Sequence, residues 1–116
     1  MLVYVATYPR CGSALLRDLI FRNWSYLTAN GYGPNPPADH PALSAYKLLN
    51  RPLLPDRAID WLTEENRARI AAEPESYFVK THELPFAEYF PGERAVQSVR
   101  HPGAAIVSHW RLELHK

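Results

Sequence analysis

The chain of 116 residues contains very little cysteine and no long apolar run. Its single cysteine, Cys11, excludes an internal disulfide framework and is typical of a protein in a reducing compartment. No stretch reaches the roughly 18–20 apolar residues that a membrane-spanning helix needs. The first residues also lack the charged and then apolar pattern of a signal peptide. We therefore expect a cytoplasmic protein without a membrane span.

A strong excess of charge is missing as well. The formal net charge is +1 and charged residues make up 22% of the chain, so we expect neither nucleic acid nor a membrane as a partner. Aromatic residues make up 12%, including three tryptophans, which is typical of a packed globular protein. The length predicts a single domain over residues 1–116.

Buried strands alternate with helical patterns along the chain. The first segment, residues 2–6, is apolar without alternation, which predicts a strand buried on both faces, as in a parallel sheet. Alternating strands and helices indicate an α/β protein with a three-layer, mainly parallel sheet flanked by helices. The predicted helices are 13–29, 56–72 and 104 to the end, and the other predicted strands are 76–80 and 94–100.

The middle of the chain is rich in proline and predicts a long connection. Residues 30–55 contain six prolines, with one short helix expected over 43–49. Long connections in compact domains often bind ligands. In the helical pattern that follows, Thr63 precedes two glutamates and provides an alternative start for a separate helix.

The first polar cluster is residues 7–13, TYPRCGS, between the first strand and the first helix. A loop between strand and helix presents backbone N–H groups to an anion, and Gly12 allows a close approach. Arg10 adds a fork of donors suited to phosphate or sulfate. The segment lacks the Gly-Lys-Ser/Thr of a Walker A motif. The alternative is an ordinary turn with Ser13 as a capping residue.

The second cluster follows the strand at 76–80. Lys80 provides a cation at the end of this strand, and His82 is a candidate general base because its ordinary pKa lies near working pH. Glu83 is a second candidate base. The alternative interpretation is a solvated loop in which His82 has no chemical role.

The third cluster begins at Arg100, which ends a predicted strand and is followed by His101 and Pro102. Ser108 lies about two turns into the next helix. An arginine at a strand end and a helical hydroxyl can hold one phosphate between them. The alternative is that both residues are ordinary surface residues.

Together these three segments resemble PAPS-dependent sulfotransferases. Residues 7–13 are similar to the family's T-Y-P-K-S-G-T loop, which binds the 5′-phosphosulfate of the donor PAPS. Residues 80–82 match the family's K-T-H, and residues 100–102, R-H-P, with Ser108 downstream, resemble its R-N-P motif for the 3′-phosphate. All three occur in the family's order. The resemblance implies the P-loop-like sulfotransferase fold, possessed here only in its N-terminal portion.

The resemblance also implies how the donor is bound. The 3′-phosphate would be held by Arg100 and Ser108. No metal is required in this scheme, and the five histidines show no metal-site spacing, so we predict none. The 5′-phosphosulfate would be held by backbone N–H groups around Cys11, Gly12, Ser13 and Ala14.

Three residues would act on the transferring group. Arg10 would stand where the family has a lysine that stabilises the leaving phosphate. His82 would take the proton of a hydroxyl or amine acceptor, and Lys80 would support the sulfuryl oxygens. Sulfuryl transfer, like phosphoryl transfer, depends on in-line positioning and on cations around a spread negative charge.

Several departures from the family pattern bear on activity. Arg10 replaces a lysine, Cys11 a serine, and Leu15 a tryptophan that stacks on adenine. Residues 30–75 match no family segment, and the family's C-terminal segment, which closes over the nucleotide, has no counterpart. We therefore expect a fragment, a minimal version or a homo-oligomer that covers exposed apolar surface.

Two other functions remain alternatives. One is a P-loop nucleotide kinase or phosphotransferase, which the missing Walker lysine and the lack of an evident Mg²⁺-binding aspartate disfavour. The other is a nucleotide-binding module without turnover. The acceptor, a small molecule or a side chain, is not defined, since residues 30–75 suit a phenol, a steroid, a sugar or a peptide tyrosine equally.

Overall fold

A computed structural model describes residues 1–8, 11–35 and 51–115. The short helix predicted over 43–49 lies outside these ranges. Strands and helices alternate through most of the described chain. In order they are β1 (Leu2–Ala6), α1 (Ser13–Trp24), β2 (Thr28–Asn30), α2 (Ala58–Trp61), α3 (Glu64–Ala72), β3 (Tyr77–Thr81), β4 (Glu93–Val96) and α4 (Pro102–Leu114).

The four strands form one sheet in the order β2-β3-β1-β4, and every neighbouring pair is parallel. β1 is therefore a central strand with β3 on one side and β4 on the other. The carboxyl ends of all four strands lie at one edge of the sheet, where ligands bind in open α/β sheets. The predicted α/β class with a parallel sheet flanked by helices is confirmed.

One face of β1 belongs to the main apolar core. Leu2, Tyr4 and Ala6 alternate along the strand, so they share a face, and all three are fully buried. The core therefore lies between this face of the sheet and the two helices α2 and α3. Its other buried members are Ala29, Leu54, Ala58, Leu62, Ile70 and Val79.

The opposite face of β1 carries Val3 and Val5, which are also buried. Helix α1 contacts β1, and its one buried residue, Ile20, does not belong to the first core. We infer that α1 covers this second face. Burial on both faces explains why β1 is apolar without alternation, as predicted.

Two predicted helices have different bounds in the structure. The helix predicted over 13–29 ends at Trp24, because Ser25 takes a left-handed conformation and residues 28–30 pair with β3 instead. The pattern over 56–72 forms two helices. The second is capped by Thr63, whose hydroxyl accepts the Asn66 N–H at 3.3 Å, so the alternative helix start is the right one.

The strand predicted over 94–100 was too long. β4 ends at Val96, which pairs with Val5 near the end of β1. Residues 97–101 form the connection to α4, so Arg100 lies in a loop and not at a strand end. Among the helices that the structure describes, none has the length and apolarity needed to cross a membrane.

A buried ion pair lies at the amino end of β4. The carboxylate of Glu93 accepts hydrogen bonds from Arg67 Nε and Nη2, each at 3.0 Å, and from the Tyr4 hydroxyl at 2.5 Å. Arg67 also donates to the Glu88 carbonyl at 2.6 Å and stacks 3.7 Å from the Phe86 ring centroid. Because the charges are paired and their hydrogen bonds satisfied, this network links α3, β1 and β4.

The network determines the charge state of Glu93. Burial alone would raise the pKa of its carboxyl, but hydrogen bonds from Arg67, Tyr4 and the Phe90 N–H outweigh burial and hold the pKa below its ordinary value. A carboxyl whose pKa is lower in the folded than in the unfolded protein stabilises the fold at pH values above its unfolded-state pKa. That stabilisation is lost as the pH falls through the folded pKa.

We predict that Glu93→Gln removes about 3–5 kcal/mol of unfolding free energy at neutral pH, because Arg67 keeps a buried charge without a counterion. The variant should also lose less stability than wild type between pH 5 and pH 3. Urea unfolding at neutral pH and between pH 5 and pH 3 measures both effects. Glu83→Gln, at an exposed carboxylate, should change stability by less than about 0.5 kcal/mol. Equal acid sensitivity of Glu93→Gln and wild type would contradict this account.

Candidate functional site

The loops that follow β1, β3 and β4 meet at the carboxyl edge of the sheet. They border a cleft of about 760 Å³ that α1 and α4 also line. This volume lies within the range of small-molecule sites. The structure thus brings residues of all three polar clusters to one place. The lining residues are Cys11, Gly12, Ser13, Ala14, Leu15, Lys80, His82, Val99, Arg100, His109, Leu112 and Glu113.

The first loop presents backbone donors at the start of α1. Gly12 has a φ of +88°, a conformation that an L-residue adopts only with strain, and α1 begins at the next residue. The N–H groups of Gly12, Ser13 and Ala14 have no hydrogen-bond partner in the described parts of the chain. Such groups at a helix N-terminus favour an anion.

The backbone N–H of Cys11 is not available to a ligand, although the resemblance implied that it would help to hold the donor. Its N–H donates to the Tyr8 carbonyl at 3.0 Å, so it is already engaged within the loop. Its carbonyl accepts a hydrogen bond from the Ser98 hydroxyl, which ties the loop to the segment after β4. Cys11 therefore shapes the loop, and the free donors begin one residue later. Arg10 lies outside the described residues.

Lys80 is a half-buried cation in the cleft. Burial lowers the pKa of its ammonium group, and repulsion by Arg17 of α1 lowers it further. In the sheet register, Lys80 lies opposite Val5 and Asn30, on the face that α1 covers. A bound anion would compensate the lost solvation of this ammonium group.

The structure defines the hydrogen bonding of His82. Its Nδ1 lies 3.2 Å from the Thr7 carbonyl oxygen. A carbonyl oxygen only accepts, so Nδ1 carries the proton in this contact. In the neutral ring Nε2 is then the basic nitrogen, as a general base at this position requires.

Arg100 and Ser108 meet in a second, smaller cavity. This cavity has a volume of about 400 Å³, and Arg111 of α4 lines it as well. Arg100 borders both cavities, whereas Ser108 borders only the smaller one. The pair predicted to hold one phosphate thus lines one cavity, beside the main cleft. The other lining residues are Gly103, Ala104 and Val107.

Helix α4 contributes residues that were not assigned a role from the sequence. Arg111 follows Ser108 by three positions and therefore lies on the same helix face. His109 and Glu113 line the main cleft, with His109 Nε2 4.0 Å from a Glu113 carboxylate oxygen. Helical spacing from Ser108 is the signal that would have found Arg111.

The charge of the main cleft favours an anion. Its lining includes the cations Lys80 and Arg100, against one carboxylate, Glu113. Within the described ranges, no cluster of His, Cys, Asp and Glu is arranged to hold a metal ion. No protein-family model matches the chain, and no curated protein or solved structure matches it significantly. The functional conclusion therefore depends on the chemistry of the cleft.

The loop geometry makes a prediction that is independent of any particular substrate. Inorganic phosphate should bind at the start of α1 and move the amide proton resonances of Gly12, Ser13 and Ala14 downfield, because each amide gains a charge-assisted hydrogen bond. Titration followed by ¹H–¹⁵N NMR measures this. Cys11 and Leu16 are internal controls, since their N–H groups donate to the carbonyls of Tyr8 and Gly12. Larger shifts at these two controls would refute the assignment.

Proposed function

We propose that this chain is a sulfotransferase domain that moves a sulfuryl group from PAPS to a hydroxyl or amine acceptor. The observation that carries the proposal is the convergence of three segments, distant in the chain, on one cleft. Each is a segment whose residues resemble a donor-binding or catalytic motif of that family. Because loops after parallel strands share one edge in any case, the proposal also depends on what these loops carry, which is backbone donors and cations suited to an anionic donor. A reducing cytoplasmic setting suits the lone Cys11.

The donor has an anionic group at each end, and the site offers two places for anions. The free N–H groups of Gly12, Ser13 and Ala14 suit the 5′-phosphosulfate. The smaller cavity, with Arg100 and Ser108, suits the 3′-phosphate. Arg100 borders both cavities, so a nucleotide that reaches from one to the other would pass beside it.

The reaction forms a bond between the acceptor oxygen or nitrogen and sulfur and breaks the bond between sulfur and the phosphate oxygen. Nε2 of His82 takes the acceptor proton, because Nδ1 already donates to the Thr7 carbonyl. Lys80 balances negative charge on the sulfuryl oxygens. Arg10 is proposed, from the resemblance alone, to stabilise the leaving phosphate.

We predict that adenosine 3′,5′-bisphosphate, the product of the donor, raises the melting temperature. A ligand at one hundred times its Kd adds about 2.7 kcal/mol to the unfolding free energy, which shifts the melting temperature of a domain of this size by roughly ten degrees. Adenosine 5′-phosphate should shift it less, because it leaves the cavity of Arg100 and Ser108 empty.

Two outcomes of that experiment argue against the proposal. The first is no shift with saturating bisphosphate in a sample whose circular dichroism shows a folded protein. The second is a larger shift with ATP and Mg²⁺ than with the bisphosphate, which would favour a nucleotide kinase or phosphotransferase.

The role of His82 separates an enzyme from a binding module. His82→Ala should keep the affinity for adenosine 3′,5′-bisphosphate within a few-fold and lower sulfuryl transfer by about 10²–10⁴-fold, as loss of a general base does. Transfer from radiolabelled PAPS to a simple phenol measures the second effect. Glu83→Ala, at the neighbouring candidate base, is the matched control and should retain transfer. Binding by wild type with no transfer to phenols, sugars or amines would favour a module without turnover.

A further inference from the structure

An aromatic ring lies flat against the ring of His82. The ring centroids of Tyr32 and His82 are 5.6 Å apart and the ring planes differ by 10°. This is a stacked arrangement with the spacing usual for aromatic pairs. Tyr32 is 44% exposed, so it is not part of the apolar core. Its most evident contact is therefore the candidate base itself.

Gly31 explains why Tyr32 lies at this position. The Gly31 N–H donates to the Lys80 carbonyl at 3.0 Å, which holds the turn after β2 against the end of β3. A Cβ at residue 31 would lie 2.3 Å from the same carbonyl oxygen, so only glycine permits this approach. The turn is therefore adjacent to the backbone that leads from Lys80 to His82.

Three further hydrogen bonds hold the turn. The side-chain oxygen Oδ1 of Asn30 accepts the N–H groups of Tyr32 at 3.1 Å and Gly33 at 3.2 Å. The Gly31 carbonyl accepts the Ile59 N–H of α2 at 3.1 Å. The backbone that carries Tyr32 is thus held by contacts to β2, β3 and α2, at a position from which the Tyr32 ring stacks on His82.

The His82 ring is consequently restrained in two ways. The Thr7 carbonyl accepts a hydrogen bond from Nδ1, and Tyr32 stacks on one face of the ring. Rotation about the side-chain bonds would break either the hydrogen bond or the stack. The two contacts together select one ring orientation and, through it, one neutral tautomer.

We propose that Tyr32 is a positioning residue for His82, which keeps the ring in the orientation where Nδ1 is protonated and Nε2 is the basic nitrogen. The role of Nε2 as the acceptor's base rests on the proposed function. The ring geometry does not depend on it. Tyr32 acts through the ring of His82 and needs no contact with the donor.

The direct test is the tautomer of His82, read from the ¹⁵N and ¹³C shifts of its ring at a pH where it is neutral. Wild type and Tyr32→Phe, which retains the ring, should both show the form protonated at Nδ1. Tyr32→Leu should show a mixture of the two tautomers. Gly31→Ala, which displaces the turn without changing Tyr32, should also give a mixture. Trp24→Leu, at an exposed aromatic residue at the end of α1, is the matched control and should match wild type.

Turnover provides a second measurement. With PAPS and a simple phenol, Tyr32→Leu should lower kcat about tenfold and leave the KM for PAPS unchanged, because a misplaced base affects the chemical step and not donor binding. Tyr32→Phe should stay within twofold of wild type. A rise in the KM for PAPS with unchanged kcat would assign Tyr32 to donor binding and overturn the positioning role.

The two measurements distinguish a failure of this inference from a failure of the proposed function. A wild-type His82 protonated at Nε2, or a Tyr32→Leu variant with the wild-type tautomer, overturns the inference whether or not the protein transfers sulfuryl groups. If wild type shows the expected tautomer but no transfer, the positioning of the ring stands and the proposed function fails. Folding of each variant is checked by its melting temperature. The Tyr32 variants should remain near wild type because Tyr32 is substantially exposed, whereas Gly31→Ala should melt lower because its Cβ meets the Lys80 carbonyl.

Discussion

The pairing of β1 with both β3 and β4 is the constraint on which the rest of the molecule depends. Ala6 lies opposite Thr81, and Val5 lies opposite Val96, so the three strands end nearly level with one another. The loops that follow them therefore share one edge. A shift by one residue in either pairing would turn the buried side chains of that strand to the wrong face, so the apolar pattern of β1 also fixes where the loops meet.

The sequence was sufficient to predict the parts of the fold that depend on long apolar patterns. An unbroken apolar β1 requires cover on both faces, and that requirement predicts a parallel sheet with helices. It was insufficient for β2, because Leu27 and Ala29 fit a helical spacing as well as a short strand. The pairing of Thr28–Asn30 with β3 decides between them, and such pairing is a tertiary interaction.

The candidate site, too, could be predicted from the sequence only in part. Lys80, His82 and Arg100 could be grouped from the sequence, since each lies at or just beyond a predicted strand end. The engagement of the Cys11 N–H within its own loop could not, because it depends on the local path of the backbone. The stack of Tyr32 on His82 could not be predicted from the sequence either, since it requires the turn after β2 to contact the end of β3.

The buried pair of Arg67 and Glu93 lies at the opposite end of the sheet from the cleft, where Glu93 pairs with Leu2 at the start of β1. The ion pair that ties α3 to the sheet therefore lies away from the loops after β1 and β4, although the connection after β3 contributes the Glu88 carbonyl and the Phe90 N–H to it. Substitutions in the loops after β1 and β4 leave the hydrogen-bond partners of this ion pair unchanged. Substitutions at the carboxyl edge can therefore change what the cleft binds while the opposite end of the sheet stays constant, so the fold is well arranged for divergence of specificity.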